Sequence, residues 1–199
     1  MKHEIWVKTN LGSIRTWKIG APSAHHHVVI FTGLSEFCEK YLELISFLSN
    51  HDMEVLIFDW PGLGLSGAYG NPPTTSHTGR FDDLLQAGCD AIDKSGWADK
   101  RFFVIGHSMG GHLAFRLAGS TKYSIAGIMA LSPMMLPLVK HSLLILILAT
   151  MISVCGFRKN LIPKTDNNTL LKTREFNPQN LLSRNQKNIE NIIFFDGPF

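Results

Sequence analysis

Between residues 28 and 131 the chain alternates short apolar runs with longer segments in which apolar residues recur at helical spacing. Each run is rich in β-branched or aromatic residues, a pattern typical of buried strands. The runs lie at 28–32, 53–58, 101–105 and 125–131. Strands that alternate with helices in this way predict an α/β architecture, in which a mostly parallel sheet carries helices on both faces.

Three segments between these strands predict helices. In residues 36–50 the apolar positions follow the period of a helix. Residues 80–95 predict a second helix, with Thr78 as its expected N-cap and with Asp82 and Asp83 in its first turn, where negative charge suits the helix dipole. The third helix is expected over 112–118.

The two ends of the chain differ from this central pattern. Residues 4–7 and 13–19 predict two strands joined by a tight turn. Beyond Pro133, residues 134–157 are apolar with a helical pattern, and the remainder is polar and rich in asparagine, with no strand signal before 192–195.

Composition narrows the class of protein. The net charge of +3 is too small, and the basic residues too scattered, to predict a nucleic-acid partner. Cys38, Cys89 and Cys155 are widely spaced and form no CxxC pair, which favours free thiols in a reducing compartment over disulfides or zinc. No continuous apolar stretch opens the chain, so we expect no signal peptide and a cytoplasmic location.

One apolar segment, residues 143–157, bears on membrane contact. Its 15 residues are fewer than the roughly 20 that a helix needs to cross a bilayer. We expect a buried helix here, and the alternatives are a helix that touches a membrane surface and a groove for an acyl chain.

The most specific signal for chemistry is Gly106-His107-Ser108-Met109-Gly110-Gly111, which lies between a predicted strand and a predicted helix. A Gly-x-Ser-x-Gly sequence at such a junction is typical of a nucleophile elbow, a turn so sharp that its flanking positions need glycine. It leaves the serine hydroxyl exposed at a helix N-terminus, where the dipole favours developing negative charge. Ser108 is therefore the predicted catalytic nucleophile.

Three motifs in order give the chain a resemblance to the α/β-hydrolases of the lysophospholipase and monoacylglycerol lipase group. They are the segments 32–41 (TGLSEFCEKY), 59–66 (DWPGLGLS) and 106–111 (GHSMGG). The resemblance implies an α/β-hydrolase core over 1–133 and part of a helical cap over 134–199. It also implies that a carboxylic ester of a lysophospholipid or monoacylglycerol is hydrolysed through an acyl-enzyme on Ser108. No metal or organic cofactor is implied, and the expected partner is a small lipid or ester substrate, with peripheral membrane contact as an option.

The same resemblance implies where the oxyanion hole lies. In this fold one donor is the backbone N–H of the residue after the nucleophile, here Met109. The second comes from the loop after an earlier strand, which assigns it to Leu34 N–H beside Gly33. The family usually has His-Gly where this chain has Thr32-Gly33, but both donors belong to the backbone and are retained.

The triad partners of the serine are not visible in the sequence. Their order in this fold is serine, then an acid, then histidine, on loops after later strands. Downstream of Ser108 the histidines are His112 and His141, and both are expected to be structural. The aspartates Asp166 and Asp196 follow no family-like strand.

This absence leaves the enzymatic assignment open. The chain is expected to be C-terminally truncated, and one alternative is a catalytically incomplete fragment or a non-catalytic acyl-binding module. On that alternative one edge of the sheet is expected to be uncovered. Another alternative is a peptidase or small-ester esterase of the same fold.

The other polar motifs predict structural roles. The loop 25–27 (HHH) is expected to be surface rather than a metal site. The loop 62–64 (GLG) lacks the spacing of a phosphate-binding loop. Asp59 is expected to hold its own loop, Glu36 to be structural, and Trp60 to pack in the core.

Overall fold

The computed structural model describes residues 2–66, 80–135, 151 and 192–195. The strands are β1 (Lys2–Thr9), β2 (Gly12–Ile19), β3 (His26–Phe31), β4 (Met53–Phe58), β5 (Phe102–His107), β6 (Ile125–Leu131) and β7 (Ile192–Phe195). The helices are a 3₁₀ turn (Cys38–Tyr41), α1 (Leu42–Ser49), α2 (Phe81–Lys94) and α3 (Met109–Gly119).

The strands form one sheet in the order β1-β2-β4-β3-β5-β6-β7. The central strands β4, β3, β5 and β6 pair in parallel, whereas β1, β2 and β7 are joined to their neighbours antiparallel. Because the carboxyl ends of the parallel strands meet at one edge, the loops after β3, β4, β5 and β6 lie together, where ligands bind in such sheets. The predicted α/β-hydrolase fold class, with its parallel central sheet, is confirmed.

Both faces of the central sheet are buried, which explains why its strands are continuous apolar runs. Successive side chains of a strand point to opposite faces. On β3, Val29 and Phe31 belong to the apolar cluster that contains residues of α2 and α3, while Val28 and Ile30 belong to the cluster that contains residues of α1. The helices therefore cover the sheet on two sides.

Two helix boundaries differ from the sequence expectation. The segment 36–50 is divided, because a 3₁₀ turn precedes α1. The N-cap of α2 is Arg80, in extended conformation at φ −88° and ψ 151°, so the prediction of an N-cap at Thr78 is wrong. The Asp83 carboxylate accepts the Arg80 backbone N–H at 3.4 Å, so the helix start is stabilised by a side chain from within its first turn. Both Asp82 and Asp83 lie in that turn, as predicted.

The edge of β6 is covered. Strand β7 pairs with it antiparallel, from Ile128 opposite Phe195 to Leu131 opposite Ile192. Strand β7 thus takes the outer position on this side of the sheet, and the expectation of an uncovered sheet edge stays a prediction. The outer strand of the sheet at the other side is β1.

The chain divides into two compact units, one of residues 1–134 with 191–199 and one of 135–190. His141, Asp166, Asp196 and nearly all of the apolar segment 143–157 lie outside the described residues. The helical cap over 134–199 stays a prediction. In the part of the chain that the structure describes, no helix has the length and apolar character needed to cross a membrane.

Candidate active site

Ser108 lies at the junction of β5 and α3, as its N-cap residue, with φ +51° and ψ −112°. A positive φ is uncommon for a residue with a side chain and is found where the surrounding structure enforces it, often at catalytic positions. The turn is tight because β5 ends at His107 and α3 begins at Met109, so that one residue separates strand from helix. This backbone is the strained conformation of a nucleophile elbow.

The glycines on either side of Ser108 are required by close backbone approach. A Cβ on Gly106 would lie 2.5 Å from the carbonyl oxygen of Gly110. A Cβ on Gly110 would overlap the carbonyl oxygen of Phe31, at the end of the neighbouring strand β3. Contacts this short with backbone atoms cannot be relieved by a side-chain movement. Gly106 therefore lets α3 start against β5, and Gly110 lets it start against β3.

The backbone of Ser108 is held by the end of the next strand. Its N–H donates to the Leu131 carbonyl at 2.9 Å, and its own carbonyl accepts the Met134 N–H at 2.9 Å. The same carbonyl also accepts the His112 N–H, at 3.2 Å, from the first turn of α3. The elbow is therefore fixed to β6 as well as to its own helix.

Both residues predicted to form the oxyanion hole lie at this edge of the sheet. Met109 is buried as the first residue of α3, and Leu34, with 52% of its surface exposed, follows Gly33 in the loop after β3. Among the described residues, neither the Leu34 N–H nor the Met109 N–H donates a hydrogen bond. Two backbone donors in the predicted positions are thus without a protein acceptor in that part of the chain.

Glu36 organises the loop that carries Leu34. Its Oε2 accepts hydrogen bonds from the Gly33 N–H at 2.6 Å, from the Tyr41 hydroxyl at 2.6 Å and from His107 Nδ1 at 3.1 Å. Burial opposes ionisation of this carboxyl, but the hydrogen bonds outweigh it and lower its pKa to about 2. The same hydrogen bond raises the pKa of His107.

The contact between Glu36 and His107 joins the loop after β3 to the residue that precedes Ser108. The expectation of a structural role for Glu36 agrees with this geometry, whereas no role was predicted for His107. The two residues are 71 positions apart, and the only local sign of a connection is that both belong to motifs of the resemblance.

Trp60 also supports the loop after β3, from its buried side. It is fully buried, packs its ring 5.1 Å from that of Phe31, and donates its indole N–H to the Thr32 carbonyl at 2.9 Å. The predicted packing role is therefore correct and is accompanied by a hydrogen bond to the residue that precedes Gly33.

Asp59 holds loops rather than acting as an acid, as predicted. It is fully buried, and its carboxylate accepts the Cys38 N–H at 2.8 Å, the Leu65 N–H at 2.9 Å and the Arg15 side chain. The 3₁₀ turn after the Gly33 loop and the glycine-rich loop after β4 are thereby fixed to one buried ion pair. Since Asp59 is fully buried and both of its carboxylate oxygens accept hydrogen bonds from protein groups, it is unsuited to proton transfer with a substrate.

The described residues place no base beside Ser108. His112 lies one turn along α3, where its ring is 5.0 Å from that of Phe81, and no side chain in this part of the chain is hydrogen-bonded to the Ser108 hydroxyl. His25 is exposed and paired with Asp52, and within residues 2–66 and 80–135 no three metal-ligating side chains form a cluster.

Comparison with known proteins identifies the family. Residues 22–192 match the hydrolase family described as serine aminopeptidase, S33, and this range includes every residue of the elbow and of the Gly33 loop. The chain belongs to this family.

Curated relatives carry lipase and phospholipase names. The chain is 34% identical over 125 residues to monoglyceride lipase of Mus musculus, a match that covers 61% of this chain and 39% of the mouse protein. It is 35% identical over 98 residues to lysophospholipase L2 of Escherichia coli K12, which covers 46% of this chain and 28% of that protein. The matched segment thus spans less than two fifths of either relative. The resemblance to the lysophospholipase and monoacylglycerol lipase group is confirmed.

Solved structures agree on the fold. The monoacylglycerol lipase of Paleococcus ferrophilus superposes with a TM-score of 0.54 at 26% identity, covering 70% of this chain and 51% of that protein. A carboxyl esterase of Bacillus coagulans superposes with a TM-score of 0.65 at 16% identity, covering 99% of this chain and 68% of that protein, and it informs on the fold alone.

Proposed function

We propose that this chain carries the nucleophile and oxyanion hole of a lysophospholipase-like serine hydrolase that cleaves carboxylic esters of lysophospholipids or monoacylglycerols. The observation that supports this most is the strained backbone of Ser108 at a helix N-terminus, beside two backbone N–H groups without acceptors among the described residues. The names of the relatives support an ester as substrate.

The reaction follows from this arrangement. A base from outside the described residues removes the proton of the Ser108 hydroxyl as its oxygen attacks the ester carbonyl carbon, and later returns that proton to the leaving alcohol. The negative charge that forms on the carbonyl oxygen is stabilised by Leu34 N–H and Met109 N–H and by the N-terminus of α3. The intermediate then collapses, the alcohol leaves with a proton, and an acyl group remains on Ser108. Water hydrolyses this acyl-enzyme to the free acid.

The surroundings of the serine suit an acyl substrate. Leu34, Leu65 and Met134 follow β3, β4 and β6, so they lie at the same edge of the sheet as Ser108, with exposed fractions of 52%, 62% and 37%. Exposed apolar side chains at the same sheet edge as a reactive group favour contact with an acyl chain or a lipid surface over a charged substrate. Peripheral membrane contact is part of the proposal on this ground.

The test is labelling by a fluorophosphonate, read by intact mass, in the full-length natural protein. We expect one label on the natural protein and on Ser120→Ala, a control in which an exposed serine at the end of α3 is removed, and none on Ser108→Ala. A folded sample that takes no label would contradict an activated serine and would favour a non-catalytic acyl-binding module.

Substrate class is tested separately. We expect hydrolysis of monoacylglycerols or lysophospholipids and of long-chain p-nitrophenyl esters, with Ser108→Ala inactive on each. Activity confined to aminoacyl p-nitroanilides would instead assign a peptidase, the activity that the family description names.

A further inference from the structure

Glu36 contacts three separate segments through one oxygen atom. Its Oε2 accepts the Gly33 N–H from the loop after β3, the Tyr41 O–H from the 3₁₀ turn, and a hydrogen bond with Nδ1 of His107 at the end of β5. A carboxylate oxygen that accepts three hydrogen bonds is held firmly, since moving it would break all three.

The backbone of Glu36 acts on the Leu34 N–H directly. The Gly33 carbonyl accepts the Glu36 backbone N–H at 3.2 Å. That carbonyl and the Leu34 N–H belong to the same peptide unit, and in a planar trans peptide the two groups point in opposite directions. With the Gly33 carbonyl turned toward Glu36, the Leu34 N–H is turned away from the loop interior.

The side chain of Glu36 fixes the other side of Gly33. Because the Gly33 N–H is bonded to Oε2 and its carbonyl to the Glu36 N–H, both peptide planes that flank Gly33 have a fixed orientation. The Glu36 and His107 side chains fill the space beside the Gly33 Cα, since a Cβ on Gly33 would lie 2.7 Å from Glu36 Oε2 and 3.0 Å from His107 Nδ1. The loop therefore packs directly against the Glu36–His107 pair.

We propose that Glu36 is a positioning residue of the oxyanion hole. It fixes the Leu34 N–H relative to the Met109 N–H by tying the loop after β3 to His107, the residue that precedes the nucleophile. This inference rests on the proposed function, because it concerns how the second oxyanion donor is oriented. Glu36 itself is bonded to protein groups and does not take part in the chemistry.

The test compares Glu36→Ala, Glu36→Gln and the control Glu43→Ala in the full-length natural protein. Glu43 is an exposed carboxylate in the first turn of α1, so its removal matches the change in charge. Since loss of one oxyanion donor lowers kcat by about 10²–10³, we expect Glu36→Ala to lower kcat by about 10- to 100-fold with KM within about twofold. Glu36→Gln keeps an oxygen that can accept the Gly33 N–H and should recover most of that loss.

Fluorophosphonate labelling gives a second readout. The phosphonyl oxygen occupies the place of the oxyanion, so the labelling rate of Glu36→Ala should fall together with kcat, while Glu43→Ala labels at the natural rate. An unchanged kcat in folded Glu36→Ala, or a change in KM alone, would overturn the proposal. Should Glu36→Ala not fold, Tyr41→Phe removes one of the three donors, and we expect a smaller fall in kcat. An unchanged kcat in folded Tyr41→Phe would then contradict the inference.

Amide hydrogen exchange separates this inference from the proposed function. If the natural protein takes no label, the proposed function fails, yet the loop can still be examined. Exchange of the Gly33 amide should be faster in Glu36→Ala, which removes its acceptor, than in the natural protein, and unchanged in Glu43→Ala. Equal exchange in all three proteins would show that Glu36 does not hold the loop.

Discussion

Replacement of Asp59 by alanine tests how the loops around the serine are supported. Asp59 is fully buried, and Arg15, its partner across the sheet, has 3% of its surface exposed. The Arg15 guanidinium donates its Nε–H to Asp59 Oδ2 at 2.8 Å, and its Nη2 atom lies 2.6 Å from the same oxygen. Burial disfavours the charged guanidinium, but the partners Glu39 and Asp59 outweigh it and raise the pKa of Arg15. When Asp59 is removed, Arg15 stays charged, because a guanidinium is effectively always protonated in proteins and Glu39 still binds it.

The size of the stability loss in Asp59→Ala follows from the groups that are left without a partner. Glu39 still binds Arg15 at 2.7 and 2.8 Å, but the buried guanidinium loses its other carboxylate, and the N–H groups of Cys38 and Leu65 lose their acceptor. Breaking a buried ion pair from one side costs about 3–5 kcal/mol of stability. For a protein of this size that corresponds to a fall in Tm of roughly 6–20 °C.

Urea denaturation at neutral pH, followed by tryptophan fluorescence, measures this change. The control is Glu39→Gln, because Glu39 is the other partner of Arg15 but has 39% of its side chain exposed and keeps an oxygen acceptor as glutamine. We expect the control to lose about 1 kcal/mol of unfolding free energy, a value in the range of exposed ion pairs. Equal losses for Asp59→Ala and Glu39→Gln, or a loss below about 1 kcal/mol for Asp59→Ala, would refute the view that the buried pair supports these loops.

Three further predictions concern stability and reactivity. Gly110→Ala should lower the free energy of unfolding, measured by urea titration, by at least about 2 kcal/mol, because its Cβ overlaps a carbonyl of β3. Gly119→Ala is the control in the same helix. Its Cβ meets nothing within 4 Å, so this variant should be neutral or stabilising by up to about 1 kcal/mol. Hydrogen bonds in the folded protein lower the pKa of Glu36 from 4.5 to about 2. The natural protein should therefore be more stable than Glu36→Gln above pH 4.5, by at most roughly 3 kcal/mol. This difference in stability should vanish as the pH falls toward 2. Part of that difference should be lost again as pH rises through the raised pKa of His107, and a difference independent of pH would contradict the ion pair. The fully buried Cys38, whose pKa is raised by burial, should resist alkylation in the native protein and react only on unfolding, as read by peptide mass.

The central strands were predictable because burial on both faces makes each of them a continuous apolar run. β4 begins and ends where the sequence places it, at Met53 and Phe58, and so does β6, at Ile125 and Leu131. The elbow was predictable for a similar reason, since its glycines are required by a local turn. In both cases the information lies within about ten consecutive residues.

The parts that sequence reasoning missed depend on contacts between distant residues. The segment 36–50 is not one helix, and the N–H of Cys38, at the start of the 3₁₀ turn, is bonded to Asp59, a residue of another loop. The pairing of Glu36 with His107 joins residues 71 apart, and neither position alone shows it. The antiparallel direction of β7 is likewise a property of its pairing with β6 and not of its apolar residues.

The hydrogen bonds between the Ser108 backbone and the end of β6 have a consequence for biosynthesis. Leu131 and Met134 follow Ser108 in the chain, so on the ribosome the strained turn lacks two of its restraints until residue 134 has left the exit tunnel. Until β6 pairs with it, β5 also presents an open, apolar edge that is prone to association. The nascent chain therefore exposes this edge to chaperones or to aggregation until β6 has emerged from the tunnel, and the turn at Ser108 gains both restraints only then.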